Sequence, residues 1–340
     1  YPKNFEQIQN EIKKNNLIAR GNGRAYGDSS INEKNTLSMK YFNHMLSFDD
    51  NSGILIAESG TLLDDIINTF LPKGWFPYVT PGSKFTTIGG LIAADVHGKN
   101  HHKEGSFRNF VEWFELIDSR GEIKKCSKNE NSELFEWTIG GMGLTGVIIS
   151  AAIKLRPIET SWIKQKTLVA KNIDQTFEFF EKNMNATYSV AWINSTNTSN
   201  NLGQSLIKLG EHATVKEIKK KNIIDPLKIN SKKAKNIPFY LPSWFLNKSF
   251  VKLFNFIYYL IGKNGSKEKL ISWDDYFYPL DSILEWNKIY GKKGFVQYQC
   301  VIPLNKSKEG ITELLREIDN SKVSSFLSVL KRFGKQNSKF

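Results

Sequence analysis

The stretch from Pro81 to Gly98 constrains this chain more than any other. After Pro81-Gly82-Ser83 it runs Thr86-Thr87-Ile88-Gly89-Gly90-Leu91-Ile92-Ala93-Ala94-Asp95-Val96-His97-Gly98. Small side chains over this length let a ligand lie directly against the main chain, while the hydroxyls of Ser83, Thr86 and Thr87 suit anionic oxygens. Upstream, Arg20-Gly21-Asn22-Gly23-Arg24-Ala25-Tyr26-Gly27-Asp28 carries glycines that permit positive φ and let successive N–H groups line an anion-binding concavity. Downstream, Gly140-Gly141-Met142-Gly143-Leu144-Thr145-Gly146 contains a literal G-x-G-x-x-G. A nicotinamide-binding Rossmann reading of it fails on context. The next segment, Val147 to Arg156, is strand-like rather than helical, and Glu159 comes too early to close on a ribose.

Apolar runs broken by Gly, Asn and Asp predict short strands over 17–61. Helical spacing follows at Leu62 to Phe70, with Thr61 as N-cap. Strands are expected at Phe110 to Asp118, ending in the turn Ser119-Arg120-Gly121-Glu122, and at Val147 to Arg156, with Pro157 closing this half. Asp174 to Met184 has amphipathic spacing and Ser189 to Ile193 is strand-like, so a second domain is expected from residue 158. Between Pro238 and Lys263 the chain turns aromatic, through Phe239, Tyr240, Trp244, Phe245, Phe250, Phe254, Phe256, Tyr258 and Tyr259, with Lys248, Lys252 and Lys263 among them. Two readings stand for it, a core helix after a loop or a segment lying on lipid.

At 340 residues the chain exceeds one ordinary core. Its net charge of +13 comes from lysines scattered along the sequence, so nucleic acid is not the expected partner; anionic ligands or a membrane surface suit the charge better. No stretch approaches the roughly 20 apolar residues of a spanning helix. Cys126 and Cys300 give neither zinc spacing nor a disulfide framework, so no metal is expected. A start at Tyr1 and a stop at Phe340 suggest a fragment.

In order and spacing, the three glycine-rich segments resemble the FAD-binding domain of the vanillyl-alcohol oxidase family, the PCMH-type domain. The run His97-Gly98-Lys99-Asn100-His101-His102, with Gly105-Ser106-Phe107 after it, is similar to the decaprenylphosphoryl-β-D-ribose 2-oxidase subfamily. So are Tyr278 to Asp281, Gly294 to Gln299, and Ser325-Phe326-Leu327 to Gly334. The resemblance implies an α+β fold: a PCMH-type FAD domain of two α/β subdomains over 1–157, then a substrate domain over 158–340, an antiparallel sheet with flanking helices. That domain would be C-terminally incomplete, lacking a return to the FAD domain that carries a further Cys and Lys.

The resemblance implies FAD across Arg20, Gly21, Asn22, Gly23, Arg24, Ala25, Tyr26 and Gly27. The cofactor would continue over Pro81, Gly82, Ser83, Thr86, Thr87, Gly89, Gly90, Ala93, Ala94, His97 and Gly98, then Gly143, Gly146 and Val147. Related enzymes with covalent flavin often carry a His near Tyr26. Tyrosine cannot make that bond, so dissociable FAD is expected, with His97 at the isoalloxazine edge. Lys99 and Lys331 are candidate cations for a substrate phosphate or sugar hydroxyl. Gln297 and Gln299, two apart on an expected strand, would present amides to a sugar. Trp192, Leu327, Val329 and Phe333 would form an apolar wall. Tyr26, His97, Lys99, Gln299 and Lys331 are the expected catalytic set.

The implied reaction is oxidation of a secondary sugar alcohol by hydride transfer to flavin N5, at C2 of a polyprenylphosphoryl-ribose in arabinan precursor synthesis. An NAD(P)H-dependent reductase would complete the epimerisation. Peripheral membrane contact is expected, on a face the sequence leaves open. Two alternatives stay open: a soluble aldonolactone or alditol oxidase using oxygen, and a non-catalytic lipid-phosphate binding protein.

Overall fold

The computed structural model describes residues 1–14, 16–197, 199–230, 234–242, 246–321, 325 and 327–335. Trp244, Phe245 and Phe326 lie outside them. The chain divides into two compact units, the first made of Tyr1–Ser161, Thr214–Ile229 and Gly334–Phe340, the second of Trp162–Ala213 and Asn230–Phe333.

In the first unit the order is α1 (Phe5–Lys14), β1 (Ile18–Arg20), β2 (Thr36–Ser38), β3 (Met45–Asp49), β4 (Ile54–Glu58), α2 (Leu63–Phe70), β5 (Trp75–Pro77), α3 (Ile88–Ala93) and α4 (His101–Glu104). Next come β6 (Val111–Ile117), β7 (Ile123–Ser127), α5 (Ser132–Thr138) and β8 (Val147–Pro157). Strands β1 and β2 pair in parallel. The larger sheet runs β3-β4-β8-β6-β7, antiparallel throughout, with β5 also on β8. β8 is central, which explains why Val147 to Ile153 reads as unbroken apolar or small residues: all of them are buried. Thr61 does not cap α2. The N-cap is Leu62 without a side-chain bond, and the buried Thr61 hydroxyl donates instead to the His44 carbonyl at 3.4 Å.

Gly146 enters β8 at φ 149°, and a Cβ there would sit 2.5 Å from the Ile117 carbonyl oxygen of β6. Gly146→Ala is therefore expected to cost about 1–3 kcal/mol in denaturant unfolding.

The second unit begins with β9 (Trp162–Ala170), α6 (Ile173–Lys182), β10 (Tyr188–Ile193) and β11 (Ser205–His212). After α7 (Val215–Lys219), which belongs to the first unit, come β12 (Lys235–Asn236), α8 (Lys248–Asn264), β13 (Glu268–Ser272), α9 (Trp273–Phe277), β14 (Ile283–Leu284), α10 (Leu304–Asn320) and β15 (Val329–Leu330). Its sheet, β13-β9-β11-β10-β15, is antiparallel. Alternation along β10 and β11 serves two layers. Ala191, Ile207 and Leu209 pack with Phe180 of α6, while Trp192 and Leu206 pack with Tyr259 of α8.

The boundary falls between Ser161 and Trp162 rather than at 157/158. Pro157 does not close the first half, because it pairs with Trp75 and the next residue donates from Ile158 N to Gly74 O at 2.7 Å. The first unit then recaptures later chain: Ser161 N donates to Pro226 O at 2.8 Å, Ser161 Oγ to Lys228 O at 2.9 Å, and Val215 N to Glu159 Oε2 at 3.0 Å.

Candidate functional site

Within the first unit the three glycine-rich segments meet. Helix α3 starts at Thr87, extended at φ −98° and ψ 156°, whose Oγ accepts from Gly90 N at 3.3 Å. Ile88, Leu91 and Ile92 point into the core. The other side carries Gly90 and Ala94, both exposed, so it is a stretch of helix almost bare of side chains. A Cβ on Gly82 would meet no atom within 4 Å, and one on Gly90 only the Thr87 hydroxyl at 3.3 Å. Gly89 differs: its N–H donates to Ser59 O at 2.8 Å, and a Cβ would press on Ser59 Cβ at 3.0 Å. Its smallness serves packing. The Ser83 hydroxyl accepts from Phe85 N at 3.3 Å, and the Thr86 hydroxyl donates to Ser83 O at 3.3 Å.

The Arg20–Gly27 loop docks on this segment through Asn22 Nδ2, which donates to Phe85 O at 2.9 Å, and through Arg24, whose guanidinium lies 5.5 Å from the Phe85 ring centroid. A Cβ on Gly21 would come 2.1 Å from Thr87 Oγ. Tyr26 is 74% exposed at the loop's crest, beside Gly27 at φ 57°. From the other side, Gly140 N donates to Ile92 O at 3.1 Å and Met142 N to Ala93 O at 2.8 Å, fastening the third loop to the end of α3. Gly143, at φ 82°, would place a Cβ 3.3 Å from Ile18 Cδ1 beside the first loop.

A buried ionic clamp locks this arrangement. Asp95, at φ 38°, takes the Arg108 N–H at 3.0 Å, the Arg108 Nε–H at 3.3 Å and the Ser106 hydroxyl at 3.0 Å. The same guanidinium pairs with Glu136 of α5 and donates to Ile139 O at 3.1 Å. Arg108 thus ties the end of α3 to the segment that leads into Gly140. Sequence reasoning passes over all three residues, since Asp, Arg and Glu are ordinarily surface types.

His97 forms an isolated bridge with Ser106, and its ring stands edge-on to His101, centroids 6.0 Å apart. Gly98 is required by its neighbours: a Cβ would sit 2.6 Å from Asn100 Oδ1 and 3.0 Å from Thr80 O. Asn100, fully buried, donates to Tyr78 O at 2.8 Å and pairs with Glu104. Glu104 in turn pairs with Arg156, whose guanidinium lies 4.5 Å from the Tyr78 ring centroid. Lys99 is half-buried in this turn, and Val147 is buried in β8. The chain re-enters this unit at Gly334, whose N–H donates to His101 Nδ1 at 3.1 Å.

The remaining expected residues lie in the second unit. Trp192 is core, packed on Leu206, Tyr258 and Tyr259. Gln297 and Gln299 are not on a strand: residues 292–300 are exposed and irregular, and no ladder partner pairs with them among the described residues. Leu327 and Val329 are exposed at 39% and 54%, and Phe333 is half-buried.

Lys331, following β15, is unusual. Burial lowers its pKa from 10.5 to about 8. The unfolded chain binds this proton up to about pH 10.5 whereas the folded one releases it near 8, so this group penalises folding below pH 8 and the penalty fades as pH rises to 10.5. Lys331→Met is therefore expected to stabilise the protein by up to about 3 kcal/mol at pH 7. Denaturant titrations should show that gain vanish by about pH 10.5.

Two comparisons bear on this geometry. Residues 1–127 match the FAD_binding_4 family, described as FAD binding domain. The chain is 35% identical over 326 residues to the decaprenylphosphoryl-beta-D-ribose oxidase of Mycolicibacterium smegmatis (strain ATCC 700084 / mc(2)155), across 94% of this chain and 70% of that protein. This chain belongs to the decaprenylphosphoryl-β-D-ribose oxidase family.

It is an FAD-dependent oxidoreductase of the PCMH type, and FAD is its cofactor. More partial relatives are an uncharacterized oxidoreductase of the fasciation locus of Rhodococcoides fascians, 30% identical over 46% of this chain and 35% of its own length, and rice (Oryza sativa subsp. japonica) cytokinin dehydrogenase 9, 32% identical over 42% and 28%. The site suits the cofactor. The bare face of α3 offers backbone rather than side chains, and the space that a Gly82 Cβ would enter is open.

Proposed function

We propose that this chain oxidises a lipid-linked ribose, converting the C2 hydroxyl of a polyprenylphosphoryl-ribose to a ketone on the route to arabinan precursors. The reading rests on one observation. The likeness to the Mycolicibacterium smegmatis oxidase spans 94% of the chain, second unit included, and so is not confined to the cofactor domain shared with more distant relatives.

Bound FAD supplies a two-electron acceptor for the carbinol hydrogen. The chain's own part is to hold and orient. Arg20 to Gly27, Pro81 to Gly98 and Gly143 to Val147 hold the dinucleotide non-covalently, since Tyr26 offers no ring nitrogen for a flavin bond. His97 serves the cofactor, and Lys99 and Gln299 serve the sugar. The poorly solvated Lys331 ammonium serves the substrate's phosphate or reacting hydroxyl, and near neutral pH it can also exchange a proton. A keto sugar formed this way calls for an NAD(P)H-dependent reductase downstream, and a polyprenyl substrate calls for peripheral contact with a membrane.

The test is a flavin spectrum of the full-length protein before and after denaturation, followed by assays with decaprenylphosphoryl-ribose and with free aldonolactones and alditols. Released flavin and turnover of the lipid-linked ribose are expected. Flavin retained by the denatured chain would refute non-covalent binding. Peroxide-yielding oxidation of free sugars alone would overturn the substrate, and colourless protein that cannot be reconstituted would overturn the enzyme reading.

A further inference from the structure

Helix α8, seventeen residues over Lys248–Asn264, is apolar on two opposite faces. One face is a narrow seam of Val251, Asn255 and Tyr259, all buried. Gly262 belongs to that seam, because a Cβ there would strike Leu206 Cδ1 at 2.3 Å. Within the seam, Asn255 donates to Asn194 Oδ1 at 3.2 Å and Ser325 O at 3.2 Å, and Tyr259 donates to Ala170 O at 3.3 Å. Helix α8 is thus fixed by that side to the second unit's sheet.

The opposite face carries Phe250, Leu253, Phe254, Phe256, Ile257 and Ile261, with Leu253, Phe256 and Ile261 exposed at 54%, 56% and 67%. Spacing of i, i+4, i+7 and i+11 aligns Phe250, Phe254, Ile257 and Ile261 in one stripe. A contiguous apolar surface of this kind marks an interaction site. Its charge pattern selects the partner. Helix α8 contains no acidic residue, and Lys252 and Lys263, eleven positions apart, lie together beside Phe256 at one edge of the exposed face. Lys248 is already paired with Asp319 at 2.6 Å.

We propose that α8 lies in the plane of an anionic bilayer surface, its outward stripe at the acyl boundary and Lys252 and Lys263 among headgroup phosphates. No helix among the described residues is long and apolar enough to cross a membrane. At 1.5 Å per residue α8 reaches only about 25 Å, and its opposite face is already committed to the sheet, so it rests on the surface rather than spanning. A second copy of the chain fits less well, since it would bring two basic flanks of a +13 protein together.

This assignment does not rest on the oxidase reading, and vesicle flotation of the full-length protein tests it separately. Expected is partitioning onto phosphatidylglycerol/phosphatidylcholine vesicles that falls at least tenfold in Ile257→Glu/Ile261→Glu, at positions where the fold already faces solvent. Lys252→Gln/Lys263→Gln should weaken binding less and remove most of its salt dependence. Unchanged far-UV circular dichroism and flavin content in each variant confirm an intact fold, and colourless but vesicle-binding protein would count against the oxidase reading alone. Wild-type protein that fails to float, or a double glutamate variant that floats as well as wild type, overturns the proposal. So does a lipid-free dimer that the double glutamate variant converts to monomer, which assigns the face to a second copy.

Discussion

Gly90→Leu is expected to give a folded protein that has lost its flavin. In α3 the residue has ordinary helical φ, and the only atom near a new Cβ is the Thr87 hydroxyl at 3.3 Å, which must give by a few tenths of an ångström and so loosen its N-cap bond to Gly90 N. Removing a helix glycine returns up to about 1 kcal/mol of propensity, which offsets a loosened cap of similar worth, so thermal stability of the apoprotein should stay close to wild type. The leucine side chain, however, projects from the bare face into the space the dinucleotide requires. FAD affinity should fall at least about a hundredfold, equivalent to ~2.8 kcal/mol, read as flavin absorbance per mole of purified protein and by titration. Wild-type flavin content in a well-folded Gly90→Leu protein would remove this face from the cofactor site. Gly89→Leu is the contrasting control, since it should fail by unfolding, its Cβ being pressed on Ser59.

Arg108→Ala should destabilise the first unit strongly. Its guanidinium side chain is 8% exposed, and its loss leaves Asp95, 22% exposed, and Glu136, 30% exposed, without their shared cation. Breaking one side of a buried pair costs about 3–5 kcal/mol, and partial solvation of both carboxylates places this case at about 3. A fall of about 10 °C in melting temperature is expected. Weaker FAD binding should accompany it, because the clamp holds Asp95 at positive φ and ties α3 to the loop at Gly140. A loss below about 1 kcal/mol would show that the backbone bonds from Gly140 and Met142 suffice without it.

Much of this was legible because small-residue spacing and apolar periodicity are local signals. The anion-binding character of the three glycine segments, strand β8 and helix α6 follow from runs of a few residues, while FAD is implied by the likeness of those segments to a known family. What escaped depends on contacts remote in sequence. The alternation at 295–299 predicts a strand, yet alternation makes a strand only where another strand offers a ladder, and Gln297 and Gln299 have none among the described residues. Trp192 carries no mark that separates a substrate wall from the packing beneath α8. The clamp of Asp95, Arg108 and Glu136 is invisible because a charged residue reads as surface until its partners are known. Residues 238–263 could be read as core or as interface, and α8 buries one face on the sheet while leaving an apolar face exposed.

The patchwork of the first unit has a consequence for how the chain matures. Its main body ends at Ser161, but the acceptors for Ser161 are Pro226 O and Lys228 O, and His101 takes its bond from Gly334. On a ribosome, the nucleotide-binding unit cannot finish closing when its own strands have emerged. It waits for β9 to β11 of the other unit to be synthesised, and the His101 contact waits for the end of the stretch seen here. Such late, long-range closures slow folding and leave surfaces open to misassociation. Cutting the gene at the apparent domain boundary should therefore give an aggregation-prone product, and early FAD supply should assist the whole chain more than that piece.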